Sequence, residues 1–170
     1  MVKNLYEYAK FSDDKISIKE STGIYVGVDN MNSNKRGIIK ASYIPSSGNF
    51  TKFKAGDILV GNIRPYLKKI WLSDCEGVAS PDVLVVSPLN RKNSGFIYSA
   101  LLDDRFFDYM MAGSKGSKMP RGDRDHVMKY VISNLKNVKN IGEFICSIDK
   151  IIELNNTIND NLEYQSLMVA

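Results

Sequence analysis

Two short stretches of this 170-residue chain concentrate groups able to grip a polyanion and read it. The first, "GNIRPYLKK" (61–69), holds Asn62, Arg64, Tyr66, Lys68 and Lys69; the second, "GSKGSKMPRGD" (113–123), holds Lys115, Ser117, Lys118 and Arg121 among three glycines. An asparagine amide can pair bidentately with adenine, and an arginine guanidinium with guanine. A tyrosine can stack on a base or offer its hydroxyl, and lysines neutralise phosphates. Glycines let backbone N–H groups approach a sugar-phosphate chain closely. An Arg-Pro-Tyr at a strand end is also an ordinary turn, so neither stretch settles a function by itself.

Charge supports reading them together. The formal net charge is +4, but 35–69 sums to +7 and 115–139 to +5, while 1–34, 70–114 and 140–170 sum to −1, −3 and −4. Two basic blocks separated by neutral or acidic sequence suit a polyanion-binding face assembled from distant segments. Lysines that merely solvate exposed strands would give a similar count.

Catalytic constellations are missing from the sequence. "GSKGSK" has two residues where a Walker loop needs four before its Gly-Lys pair, and it follows a helical pattern rather than a strand. There is no glycine-rich cofactor strand, and no Asn or Asp followed by two prolines and an aromatic, as a methyltransferase carries. Asp82 after Pro81 has no later Asp/Glu-x-Lys with which to hold a nuclease metal. His126 is the one histidine, which leaves no Ser-His or Cys-His pair. Cys75 and Cys146 lack metal-ligand spacing and are expected as buried free thiols. We therefore expect no catalytic residue and no metal site on this chain.

The elements that must carry the two stretches follow from periodicity. At 44% hydrophobic content the chain supports one core, and no segment approaches the ~18 apolar residues of a membrane span, so a soluble, cytoplasmic protein is expected. Strands are predicted at Gly23–Val28, Gly37–Ile44, "FTKF", Gly56–Ile63, "KKIWLS" and "PDVLVVS". From Phe96 to Met111 apolar residues recur at three and four, predicting one amphipathic helix ended by Gly113. From Ile141, the residues Ile145, Ile148, Ile152, Asn155, Ile158, Leu162 and Gln165 fall at alternating steps of three and four, the seam of a helix packing on another helix. A buried Asn155 on that seam would fix register and partner number. The reading is an α+β chain with a domain at 1–140 and a coiled-coil-type helix at 141–170.

Four segments taken in order resemble the specificity subunit of type I restriction-modification systems. They are "DNM" (29–31), "GDILVGNIRPYLKKIWLSDCEGVASPDVLVV" (56–86), "FFDYMMAGSKGSKMPRGD" (106–123) and "SIDKIIELNNTINDNLE" (147–163). The resemblance covers nearly the whole chain, with 1–20 and 87–100 least clear. It implies a small twisted or barrel-like β-sheet target recognition domain with packed helices, followed by a spacer helix. It also implies a non-catalytic reader of one half of a split site in double-stranded DNA, which docks DNA adenine methyltransferase subunits and restriction subunits. S-adenosylmethionine, ATP and magnesium would then sit on those partners and not on this chain. The family carries two recognition domains and two such helices per polypeptide, whereas this chain has one of each. It is thus a fragment or a half-subunit whose two copies could pair through Ile148, Ile152, Asn155, Ile158 and Leu162. The competing reading is a dimeric helical scaffold that does not bind DNA. Incubated alone with DNA and magnesium or S-adenosylmethionine, the chain is expected to neither cleave nor methylate; turnover in either assay would show that this reading overlooked a catalytic group.

Overall fold

The computed structural model describes residues 2–116, 118–133 and 138–169; the side chains of 133, 138, 139, 153, 160 and 163–169 lie outside the described set. Among the described residues ten strands run in the order β1 (Val2–Asn4), β2 (Ala9–Phe11), β3 (Lys15–Ser17), β4 (Ile24–Val26), β5 (Asn49–Phe53), β6 (Ile58–Gly61), β7 (Ile70–Leu72), β8 (Gly77–Ala79), β9 (Val83–Pro88) and β10 (Val131–Ser133). Four helices follow the sheets or interrupt them: α1 (Ser94–Leu101), α2 (Asp104–Ala112), α3 (Arg124–Met128) and α4 (Val138–Val169).

The strands form one four-stranded sheet ordered β2-β9-β6-β7, a second ordered β3-β5-β8-β4, and the antiparallel pair β1-β10. The first sheet is the centre of the molecule, and its alternation shows why β6 and β9 read as unbroken apolar runs. Ile58, Val60, Ile70, Leu84 and Val86 face a core shared with Phe96, Ile97, Leu101, Phe106 and Met110 of α1 and α2. The intervening Leu59, Trp71, Val83 and Val85 face Val26, Met31, Phe53 and Ala79 from the second sheet and its loops. A strand covered on both faces needs apolar residues at every position. The Phe53 and Trp71 rings meet edge to face at 6.1 Å between centroids, tying the two sheets together. The α+β architecture matches the sequence reading, but both four-stranded sheets are open and neither closes into a barrel.

Two predicted elements differ from those observed. The 96–111 helix is two helices, because Asp103 adopts extended backbone (φ −63°, ψ 135°) and its carboxylate caps α2 by accepting from the Arg105 N–H at 2.9 Å. Residues 37–44 form no strand. Ile38 bridges Met31 alone, and Ile39, Tyr43 and Ile44 are exposed. Buried Asn30 shapes that loop instead, donating to the Ile39 carbonyl at 3.0 Å and accepting from the Gly27 N–H at 2.6 Å. The three-residue strands β1, β2, β3, β8 and β10 escape a periodicity reading, whereas the equally short β4 and β7 are legible because they lie within the longer runs "GIYVGV" and "KKIWLS".

The root of α4 lies against α1 at backbone distance. A Cβ on Gly142 would sit 2.5 Å from the Phe96 nitrogen, and one on Gly95 would sit 2.7 Å from the Gly142 oxygen. Two turns further along α4, Asp149 Oδ2 accepts from the Tyr98 hydroxyl at 2.7 Å. No described helix is long and apolar enough to cross a membrane. In a solvent-facing helix Gly→Ala stabilises by about 1 kcal/mol. At this crossing Gly142→Ala is expected to act in the opposite direction, destabilising by about 1–3 kcal/mol as overpacking does. Urea unfolding measures the sign: a midpoint raised by Gly142→Ala would mean the α1–α4 contact is looser than this.

Candidate nucleic-acid interface

Backbone pairing carries β6 beyond its own sheet. Gly61 donates to the Lys69 carbonyl at 2.9 Å and Asn62 to the Asp82 carbonyl at 2.8 Å. Ile63 then bridges Arg121, Arg64 donates to the Pro120 carbonyl at 2.9 Å, and Gly122 donates to the Asn62 carbonyl at 3.2 Å. The second basic segment is itself closed, Lys115 and Arg121 exchanging both backbone bonds at 3.0 Å. The two stretches singled out by residue type are therefore hydrogen-bonded neighbours.

After Ile63 the chain turns sharply. Arg64 takes a left-handed conformation (φ 51°, ψ 63°), Pro65–Leu67 forms a 3-10 turn, and Lys68 is left-handed again (φ 52°, ψ 48°). This turn leaves Arg64 and Tyr66 exposed while Pro65 is buried. Among the described residues Arg64 and Lys118 make no side-chain ion pair or hydrogen bond, so their charges are available to a ligand.

The remaining candidates are tethered. Lys68 pairs with Asp104 at 2.9 Å, Lys115 with Asp123 at 2.7 Å and Arg121 with Asp82 at 3.0 Å. Exposed pairs of this kind contribute about 0–1 kcal/mol, so a phosphate can replace the carboxylate partner. Lys69 and Asn62 sit differently from the exposed cations. Lys69 donates to the Val28 carbonyl at 2.7 Å. The Asn62 Oδ1 atom is buried without a hydrogen-bond partner among the described residues, in a site where a Cβ on Gly122 would approach it to 2.8 Å. Asn62 is half-buried and borders a pocket with Lys115, Arg121 and Gly122. Ser117 lies outside the described residues.

Composition alone could not identify the counter-charges. Asp104, at the start of α2, takes Lys68 on one oxygen and Lys35 on the other, at 2.7 Å. Its pKa falls from 3.8 to about 2, first through the hydrogen bond from Lys35 and then through that from Lys68. Asp123 likewise falls to about 2, through Lys115 first and then the His126 N–H that it caps. The "LDDR" run does signal a helix start, since aspartate caps N-termini. Nothing in its spacing points to Lys35 or Lys68. His126 stacks on Tyr109 at 4.0 Å between centroids, and its Nε2 lies 3.0 Å from the Tyr109 carbonyl. Cys75 and Cys146 are free and partly buried, and burial raises the pKa of both thiols.

Along α4 the seam residues Ile148, Ile152, Ile158 and Leu162 are exposed, as are Asn155 and the flanking Ile151 and Leu154. Asn156 and Asn159 border a polar cleft with Asn32, Ser33, Asn34 and Arg36. Gln165 falls outside the described side chains.

No family model matches the chain, and no curated protein does. Solved structures do match in fold. A chain from work on complex assembly and conformational transition of the type I R-M system superposes with a TM-score of 0.63 at 18% identity, over 98% of this chain and 45% of that one. The HsdS subunit from Thermoanaerobacter tengcongensis gives 0.61 at 16% identity, over 99% and 47%. The type I restriction-modification S subunit from M. genitalium gives 0.58 at 15%, over 95% and 44%. The chain thus spans somewhat under half the length of the structures it matches.

The pairs at Asp104 and Asp123 carry a pH signature. Both carboxylates have depressed pKa values, so their contribution is complete above about 3.8 and is lost as pH falls through about 2. Carboxyl NMR titration is expected to place both midpoints near 2; midpoints near 3.8 would mean that the lysines do not hold them in solution.

Proposed function

We propose that this chain, which has the fold of type I restriction-modification specificity subunits, is a non-catalytic DNA reader that recognises one half of a split site. The observation that carries this reading is the bond from the Arg64 N–H to the Pro120 carbonyl, which merges two basic segments into one surface. Arg64 reads a base edge from the exposed turn, and Tyr66 stacks or hydrogen-bonds beside it. Lys118 neutralises phosphate directly, Lys115 and Arg121 exchange their carboxylates for phosphate on binding, and Lys68 contributes its charge from within its pair with Asp104. Asn62 supports the loop from beneath.

The partners follow from the same reading. Methyltransferase subunits dock on the helical part, flip an adenine out of the stack and methylate it with S-adenosylmethionine. Restriction subunits supply ATP- and magnesium-dependent steps, and the complex works in the cytoplasm. The exposed isoleucine seam of α4 is the surface for a second copy or for the equivalent helix of a longer polypeptide. That seam also favours a second reading, a helical scaffold without DNA binding, which predicts no retardation of random duplex even at low salt.

Titration of the full chain with duplex DNA across salt concentrations tests the proposal. Lys118→Ala is expected to weaken binding to all sequences and to reduce the salt slope by about 0.9. Arg64→Ala is expected to relax preference at one base pair, by about 1–3 kcal/mol. Unchanged preference in the Arg64 variant would remove that residue from base reading, and absence of any duplex binding by the wild type would favour the scaffold.

A further inference from the structure

Among the described residues four non-glycine positions have positive φ, and all four lie in one small region. They are Asn34 (58°), Lys35 (63°), Arg64 (51°) and Lys68 (52°). Each such residue carries a steric penalty, and such strain gathers where function requires a fixed geometry. The two loops that contain them are joined by backbone bonds, from Asn34 to the Leu67 carbonyl at 2.9 Å and from Lys35 to the Lys68 carbonyl at 2.8 Å. One anionic side chain spans both loops. Asp104 Oδ1 takes Lys35 at 2.7 Å and Oδ2 takes Lys68 at 2.9 Å, while Lys35 also donates to the Leu102 carbonyl at 3.1 Å. The strained turn is therefore latched to the N-terminal end of α2, whose Phe106, Phe107 and Met110 are buried in the core.

We infer that Asp104 is a positioning residue for base reading: its carboxylate clamps the 34–35 and 64–68 loops into a single left-handed unit that aims Arg64 and Tyr66. Asp104 itself never touches DNA. The inference rests on the DNA-reading proposal and deepens it, because nothing in the resemblance assigns a role to Lys35 or Asp104. An exposed ion pair adds little stability on its own. The carboxylate acts instead by holding a geometry and by keeping two ammonium groups turned toward the protein. Those two effects give the latch a signature that simple destabilisation lacks. Cutting it frees two cations for phosphate while loosening the reader, so affinity for arbitrary DNA and discrimination between sequences move in opposite directions.

The experiment compares wild-type chain with Asp104→Asn. Each is equilibrated with a pool of randomised duplexes, the bound fraction is sequenced, and a single arbitrary duplex is titrated at several salt concentrations. The wild type is expected to enrich a short motif. In Asp104→Asn the enrichment at its strongest position is expected to fall on the order of tenfold, while the arbitrary duplex binds more tightly with a salt slope steeper by about 2. Enrichment equal to the wild type would overturn the inference, and so would a parallel loss of discrimination and arbitrary-duplex affinity. If Asp104→Asn loses its cooperative urea transition, Lys35→Met takes its place, since it removes one arm and leaves the Asp104–Lys68 pair. It should flatten the motif without tightening arbitrary binding, and an unflattened motif would again overturn the latch. A wild-type pool with no enriched motif refutes the DNA-reading proposal itself, and the latch falls with it.

Discussion

Backbone pairing that continues past the end of β6 holds the basic surface of this molecule together. Ile58–Gly61 is fixed between β7 and β9 with apolar cover on both faces, so its register is strongly specified. The residues that follow inherit that register. Ile63 and Arg64 therefore meet the 115–121 loop at a defined position, and Pro120 and Gly122 provide the acceptor and the close approach that the pairing requires. If β6 shifted by one residue, Leu59 would exchange places with Ile58 and Val60, both cores would be disrupted, and the two basic segments would separate. The rigidity of the interface is thus a property of the central sheet and not of the loops.

The charges on this surface are arranged in two classes. Arg64 and Lys118 stand exposed without side-chain partners among the described residues, whereas Lys68, Lys115 and Arg121 each rest on an aspartate. A cation already held by a carboxylate has less side-chain freedom left to lose when it meets another anion. Such pairs also reduce the net field, so that arbitrary polyanions are held less tightly than the raw lysine and arginine count implies.

The long helix is fixed to the domain at one end. Gly95 and Gly142 bring α1 and α4 to backbone contact, and the Tyr98–Asp149 bond fixes α4 two turns further along. Beyond that point Ile151, Ile152, Leu154, Ile158 and Leu162 are exposed. At ~1.5 Å per residue a helix of this length extends on the order of 48 Å. Its direction is set at the glycine crossing, so the orientation of the basic surface relative to any helix partner is set there too.

Sequence by itself determined the parts governed by local chemistry and by period. The apolar runs of β6 and β9, the three-four spacing of α4 and the clustering of Arg64, Tyr66, Lys115, Lys118 and Arg121 were legible, because burial on both faces, helical repeat and charge each leave a mark on neighbouring residues. The break at Asp103 left a mark too, in its capping aspartate, but the apolar period running through it was the stronger signal. Tertiary structure alone decided which cations face outward. Lys69 and Lys68 are adjacent, yet one reaches the Val28 carbonyl and the other Asp104, and both partners are remote in sequence. The irregular course of 37–44 was decided in the same way, by the buried Asn30 amide. Contacts between residues far apart in the chain depend on how sheets and helices stack, and no spacing within a single segment records that.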